Sequence, residues 1–123
     1  MANILIADDS DAIRLVLKDI LSIGNHEVLA EAVDGTEAVD FYQKYSPDIL
    51  LLDLAMPKKD GLTVVKEIMA FDSNAKIILI TASDDQKIIN DCITQGATSY
   101  ISKPFDFNNV LNSISEIMEA KPH

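Results

Sequence analysis

Residues 48–61, DILLLDLAMPKKDG, decide the fold. The apolar run Ile49–Leu52 is too short to cross a membrane, and it lacks the alternation of a strand with one face in water. Such runs are typical of strands that are buried on both faces, as in parallel sheets. The run ends at an acid, Asp53, which places a carboxylate where the sheet stops. Because a lone charge is costly there, the stretch predicts either a turn into water or a positive group nearby.

The rest of the chain alternates short apolar strands with segments of helical spacing. The predicted strands are Asn3–Ala7, Glu27–Ala32, Asp48–Leu52, Lys76–Ile80 and Thr98–Ser102. The predicted helices are Asp11–Ile23, one that opens at Asp34, Leu62–Phe71, Asp84–Gln95, and a last one that Asp106 caps. This alternation implies parallel strands joined by helical crossovers, hence an α/β doubly wound, five-stranded parallel sheet. With no linker or low-complexity segment, residues 1–123 are expected to form a single domain.

The charge balance limits the kinds of partner. Acidic residues outnumber basic ones by 20 to 10, which gives a net charge of −10. No basic stripe for nucleic acid is visible, and an anionic membrane surface is disfavoured for the same reason. One cysteine, Cys92, cannot form an internal disulfide, and no apolar run approaches the roughly 20 residues of a membrane span. We expect a cytoplasmic protein whose partners are basic or bear a metal.

Chemically useful residues follow four of the five predicted strands. They are Asp8 and Asp9 after the first, Asp53 after the third, Thr81 after the fourth, and Lys103 with Pro104 after the fifth. Ligands of doubly wound sheets bind beyond the carboxyl ends of the strands. These residues are therefore expected to meet at one edge of the sheet.

Their chemistry points to a metal and a phosphoryl group. Three gathered carboxylates repel by about 4 kcal/mol per pair at about 4 Å, and Lys103 offsets only one charge. An oxygen-only set without His or Cys favours Mg²⁺ or Mn²⁺ over Zn²⁺. Asp53, alone at the end of the central strand, is the best nucleophile, while Asp8 and Asp9 are better placed to hold the ion. Lys103 and the Thr81 hydroxyl can bind the transferring group.

The same residues fit several competing functions less well. Taken singly, each site residue has an ordinary structural role as a helix cap, a turn former or a solvated side chain. A haloacid-dehalogenase-type phosphatase needs a second acid where Ala55 stands, and a flavodoxin-like electron carrier needs a phosphate loop where DDSDA (8–12) stands. A dinucleotide enzyme would need a glycine fingerprint that is missing. A phosphate-independent scaffold remains an alternative.

The motif set resembles the receiver domain of two-component response regulators. It comprises Asp8-Asp9, LLLDLAMPKKDG (50–61), Thr81-Ala82 and Lys103-Pro104, and the resemblance covers almost the whole chain. It implies a flavodoxin-like (βα)5 fold, in which Asp53 is the phosphoacceptor and Asp9 a direct Mg²⁺ ligand. Asp8 then acts largely through water, the backbone carbonyl of Ala55 completes the ligands, and Mn²⁺ can replace Mg²⁺. Thr81 and Lys103 contact the phosphoryl group, and the Lys103–Pro104 peptide bond is cis.

The resemblance also implies a signalling switch rather than an enzyme, with only self-phosphorylation and self-dephosphorylation. Phosphorylation draws Thr81 inward and Tyr100 swings after it, which alters the face formed by helix four, strand five and helix five. The implied donor is a CheA-like histidine kinase, and the implied target is a motility-motor switch or adaptor protein that controls flagellar or archaellum rotation in chemotaxis. The protein is expected to be a monomer. An alternative is a single-domain receiver in a phosphorelay, or one that regulates a kinase or transcription complex.

The predicted output face departs from the family pattern. Apart from Lys87 and Lys103, it is poor in cations, whereas bacterial members that bind the motor switch use lysines there. We therefore expect a basic partner, such as the adaptor of archaeal chemotaxis systems.

Overall fold

The computed structural model describes residues 1–82 and 86–119. Within them the elements are β1 Asn3–Ala7, α1 Asp11–Ile23, β2 Glu27–Ala32, α2 Gly35–Tyr45, β3 Ile49–Asp53, α3 Gly61–Phe71, β4 Ile77–Thr81, α4 Gln86–Thr94, β5 Ser99–Ser102 and α5 Phe107–Glu119. The strands form one parallel sheet in the order β2-β1-β3-β4-β5. The predicted α/β doubly wound fold is confirmed. The predicted start of the fourth helix, at Asp84 and Asp85, lies outside the described residues.

The sheet separates two hydrophobic layers. Every residue of β3 is buried, as the uniform apolar run predicted. Because side chains alternate along a strand, Leu50 and Leu52 pack on the side of α2, α3 and α4, whereas Ile49 and Leu51 pack on the side of α1 and α5. The central strands are thus covered on both faces, which explains their lack of alternation in sequence.

Two helices bury a narrower stripe than their apolar spacing predicts. The spacing places Ile88, Ile93, Phe107 and Met118 on the inward faces of the fourth and fifth helices. This prediction is wrong, because these side chains are 43%, 38%, 50% and 38% exposed, respectively. The buried residues are Ile89 and Cys92 in α4 and Val110 and Ile114 in α5, which form a single row along each helix.

The strand register brings the site residues to one edge. At the carboxyl ends, Ala7 pairs with Leu52, Asp53 with Ile80, and Thr81 with Ser102. The residues that follow β1 and β5, Asp8 and Lys103, therefore emerge beside Asp53 on the central strand. The peptide bond between Lys103 and Pro104 is cis.

None of the helices in 1–82 and 86–119 combines the length and the apolar character that a membrane span requires.

Candidate functional site

Three carboxylates meet at the carboxyl edge of the sheet. One oxygen of each of Asp8, Asp9 and Asp53 lies within 4.8 Å of the other two. Asp8 and Asp53 are only 2% and 5% exposed, while Asp9 faces solvent. A set of oxygen donors that is open to water on one side fits Mg²⁺ or Mn²⁺, because these ions bind carboxylates and keep several waters. The residues present could therefore hold the divalent ion that the sequence predicts.

Lys103 joins two of these acids. Its Nζ lies 3.2 Å from Asp8 Oδ2 and 3.7 Å from Asp53 Oδ1. Its backbone N–H donates to the Thr81 carbonyl at 2.8 Å, which fixes the start of the side chain at the end of β4. One ammonium balances one carboxylate, so the cluster retains surplus negative charge that a cation would neutralise.

Asp53 is held in a defined orientation at the end of β3. The N–H of Ala55 donates to its Oδ1 at 3.2 Å. Burial raises the pKa of the Asp53 carboxyl; the hydrogen bond from Ala55 opposes this, and the nearby charge of Asp8 adds to it. Its surroundings therefore disfavour the ionised form more than water does, and a bound cation would favour that form.

Asp8 is positioned by its backbone as much as by its side chain. Its Oδ1 accepts from the Ser10 N–H at 2.8 Å, and its carbonyl accepts from Arg14 Nη1 at 2.6 Å. Arg14 is buried and also pairs with Asp11 and Glu31. Arg14 was not among the site residues predicted from the sequence. The sequence does contain a signal for Arg14. It lies three residues before Leu17 on the inward stripe of α1, and a cation on that stripe needs buried hydrogen-bond acceptors.

A cleft of about 420 Å³ opens over the acids. Asp9, Asp53, Thr81 and Lys103 line its polar side, and Leu62 and Ile88 are among the residues of its apolar side. Thr81 ends β4 and is 2% exposed. The cleft thus presents a carboxylate, an ammonium and a hydroxyl to one small volume, which suits a phosphoryl group.

The structure gathers most of the predicted site residues around the cleft and leaves two, Tyr100 and Pro104, outside it. Those around the cleft are Asp8, Asp9, Asp53, Ala55, Thr81 and Lys103. Tyr100 lies on β5, three residues before Lys103, and is 44% exposed. Tyr100 and Pro104 line a separate groove together with Ser102 and Asn109.

A parallel five-stranded sheet with this acidic edge and a facing lysine defines the class of receiver domains. Residues 4–115 match the family model for the response regulator receiver domain. The chain belongs to this family, the receiver domains of two-component response regulators.

Its relatives include chemotaxis proteins. The chemotaxis protein CheY of Bacillus subtilis is 42% identical over 116 residues, which span 94% of this chain and 97% of that protein. CheY of Halobacterium salinarum is 37% identical over 118 residues, spanning 96% and 98%. A chain in the crystal structure of the CheX–CheY–BeF3–Mg complex from Borrelia burgdorferi has a TM-score of 0.92 and 37% identity, covering 96% of this chain and 90% of that one. The protein is a CheY-like receiver.

Proposed function

We propose that this protein is a cytoplasmic, monomeric phospho-accepting switch of chemotaxis, and that Asp53 receives its phosphoryl group from a CheA-like histidine kinase. The observation that carries the proposal is the position of Lys103, whose ammonium contacts both Asp8 and Asp53 in a cluster of three acids. A buried nucleophilic acid, further acids for a cation and an ammonium beside them are the components that phosphoryl transfer to a carboxylate needs.

The chemistry follows from these positions. An Asp53 oxygen attacks phosphorus and forms an acyl phosphate, while the P–N bond of the donor phosphohistidine breaks and its nitrogen keeps the electron pair and takes a proton. Lys103 and Thr81 bind phosphoryl oxygens and hold the group in line for attack. A bound Mg²⁺, or Mn²⁺ in its place, supplies charge neutralisation; Asp8, Asp9, Asp53 and the Ala55 carbonyl would hold it. Hydrolysis of the acyl phosphate returns Asp53, so the protein turns over only itself.

The output runs through β5. Thr81 is drawn toward the new phosphoryl oxygen, and Tyr100, now 44% exposed, moves into the vacated space. This motion would alter the face formed by α4, β5 and α5 and select the phosphorylated form for a motor switch or adaptor protein.

The charge of that face supports a basic partner. In the described parts of α4, β5 and α5, Lys87 is the one basic residue, and it pairs with Asp91 at 3.1 Å. α5 adds Glu116 and Glu119. An adaptor with a basic contact surface, of the kind used in archaeal chemotaxis, fits this face better than an acidic motor peptide. Binding to a partner whose contact surface is acidic, with an affinity insensitive to salt, would overturn this part of the proposal.

Intact mass after incubation with acetyl phosphate and Mg²⁺ tests the phosphoacceptor. The wild type should gain the mass of one phosphoryl group, and this gain should be absent with EDTA or in Asp53→Asn. The matched control is Asp40→Asn, which removes an exposed acid of α2 and should be modified like the wild type. Equal mass gain in wild type and Asp53→Asn would overturn the assignment of Asp53, and no gain in the wild type would favour a scaffold.

The alternative is a receiver of the same chemistry with another target, in a phosphorelay or a kinase or transcription complex. Its site would be the same, so only the partner separates the two. Recovery of a motor adaptor with the phosphorylated form supports the chemotaxis proposal, whereas recovery of a phosphotransferase overturns it in favour of the relay.

A further inference from the structure

The loop between β3 and α3, residues 54–60, rests on the first turn of α2. The N–H of Gly35, which begins α2, donates to the Pro57 carbonyl at 3.2 Å. The next loop residue, Lys58, has a left-handed backbone with φ of 72°, and its Nζ lies 3.2 Å from Asp34 Oδ2. The junction of β2 and α2 therefore supports the middle of the loop.

Gly35 leaves no room for a side chain at this contact. A Cβ at this position would lie 2.3 Å from the carbonyl oxygen of Lys59 and 2.5 Å from its Cβ. Since the nearest atom belongs to the backbone, rotation of a side chain cannot relieve the clash, and the loop itself must move. Asp34 fixes the other side of the contact, because its Oδ1 caps α2 by accepting from the Glu37 N–H at 2.8 Å.

The same loop carries the groups that orient the proposed phosphoacceptor. Ala55 donates to Asp53, and its carbonyl is a proposed metal ligand. At its far end the loop is tied back by the Gly61 N–H, which donates to the Leu54 carbonyl at 3.3 Å. Between these ties, the ring of Pro57 fixes one φ angle, and the Lys59 N–H donates to the Pro57 carbonyl at 3.0 Å. A displacement at Lys59 is therefore transmitted to Ala55.

We propose that Gly35, held in place by Asp34, is a positioning residue for the metal and phosphoacceptor site: it lets the β3–α3 loop lie against α2, and so places Ala55 against Asp53. The inference rests on the proposed function, since it concerns the same site. The sequence predicts no reactive chemistry for Val33-Asp34. The contacts of Asp34 with Lys58 and of Gly35 with Pro57 point instead to a positioning role.

The test compares Gly35→Ala with Gly24→Ala. Gly24 ends α1, and a Cβ there would meet the Leu111 side chain at 2.6 Å, so this variant also disturbs packing but leaves the loop alone. Calorimetry with Mg²⁺ should show affinity reduced by about 10-fold or more in Gly35→Ala, the loss typical of removing a supporting group around a metal site. Gly24→Ala should bind Mg²⁺ like the wild type. In metal-free protein, NMR should show displaced signals for the Ala55 amide and the Asp53 carboxyl in Gly35→Ala only.

The two proposals fail in different ways. No Mg²⁺ binding by the wild type would overturn the proposed function, and the metal-free NMR comparison would still decide the part of Gly35. Wild-type signals and affinity in Gly35→Ala would overturn the positioning role, as would an equal loss in Gly24→Ala. If Gly35→Ala does not fold, Asp34→Ala decides, because it releases Lys58 without adding an atom: displaced Ala55 and Asp53 signals support the proposal, and unchanged signals overturn it.

Discussion

Replacing Asp53 with asparagine should raise, not lower, the melting temperature of the metal-free protein. Asparagine keeps the shape of the side chain and an Oδ1 that can accept from the Ala55 N–H, so the hydrogen bond at 3.2 Å survives. What disappears is a negative charge on a side chain that is 5% exposed and lies beside two other carboxylates. The substitution therefore isolates the cost of that charge.

The distances between the charged groups set the size of the expected stabilisation. At an effective dielectric of about 20, two carboxylates at the upper limit of 4.8 Å repel by about 3.5 kcal/mol. Solvent screens the repulsion between Asp53 and the exposed Asp9. The attraction to Lys103 at 3.7 Å is about 4.5 kcal/mol, so it roughly cancels the combined repulsion. The cost of burial then decides whether the substitution stabilises or destabilises the fold, since removing a carboxylate from water costs several kcal/mol. We expect Asp53→Asn to stabilise the metal-free fold by about 2 kcal/mol, which is about 8 °C for a chain of this size.

The dependence on pH follows from the pKa of Asp53, which burial raises above its ordinary value. A carboxyl with a raised pKa favours the fold when protonated, and this contribution is lost as the pH rises through the folded-state pKa. The advantage of Asp53→Asn should therefore be complete at pH values above the folded-state pKa of Asp53. It should disappear on acidification, once the wild-type carboxyl is protonated.

Thermal unfolding followed by circular dichroism in EDTA and in saturating Mg²⁺ provides the assay. Wild type should gain about 2.7 kcal/mol when Mg²⁺ is about 100 times its dissociation constant, and Asp53→Asn should gain much less. Asp40→Asn, at an exposed position, should melt like the wild type in both buffers. A midpoint for Asp53→Asn in EDTA at or below that of the wild type would refute the reasoning, because the charge would then carry no cost.

Three further predictions concern other contacts. Lys103→Met leaves two buried carboxylates without their ammonium and should destabilise the metal-free protein by about 2 kcal/mol; an unchanged midpoint in EDTA would contradict this. His26 Nδ1 accepts from the Ala2 N–H at 3.0 Å, and burial lowers the pKa of His26, so its contribution is complete above about pH 6.5 and is lost as the pH falls through the folded-state pKa. His26→Leu should therefore show a flatter fall in stability on acidification than the wild type, and parallel curves would disprove the effect. Tyr42→Phe removes a hydrogen bond from a hydroxyl to Asp72 Oδ2 at 2.9 Å and should cost about 1 kcal/mol in urea unfolding; a value near zero would mean that water replaces the bond.

The sequence was most informative where local pattern and burial coincide. β1, α1 and β2 have the predicted bounds because apolar runs and helix caps mark their ends, as at Ser10, whose side chain accepts from the Ile13 N–H. The acids of the site were predictable because parallel strands must end together. Local pattern could not reveal how much of a helix its neighbours cover, so Ile88 and Phe107 were predicted to face inward although they are 43% and 50% exposed.

The parts of the site that pattern did not reveal depend on contacts between distant segments. In the sequence, Asp34 looks like an ordinary helix cap. In the structure it also forms an ion pair with Lys58, which lies 24 residues later in the chain. Arg14 lies on the inward stripe of α1, but the spacing does not reveal that its guanidinium also donates to Glu31 on β2 at 3.1 Å. Such contacts join elements that are separate in sequence, and no local spacing rule predicts them.

Lys103 links the edge strand β5 directly to the acids at the centre of the sheet. The edge strand β5 has only four residues. Lys103, which follows it, nevertheless forms ion pairs with Asp8 after β1 and with Asp53 at the end of β3. These ion pairs lie at the carboxyl edge of the sheet, outside the two hydrophobic layers. A gain or loss of charge on Asp53 would therefore change the force on the end of β5 directly, in addition to the movement proposed for Tyr100.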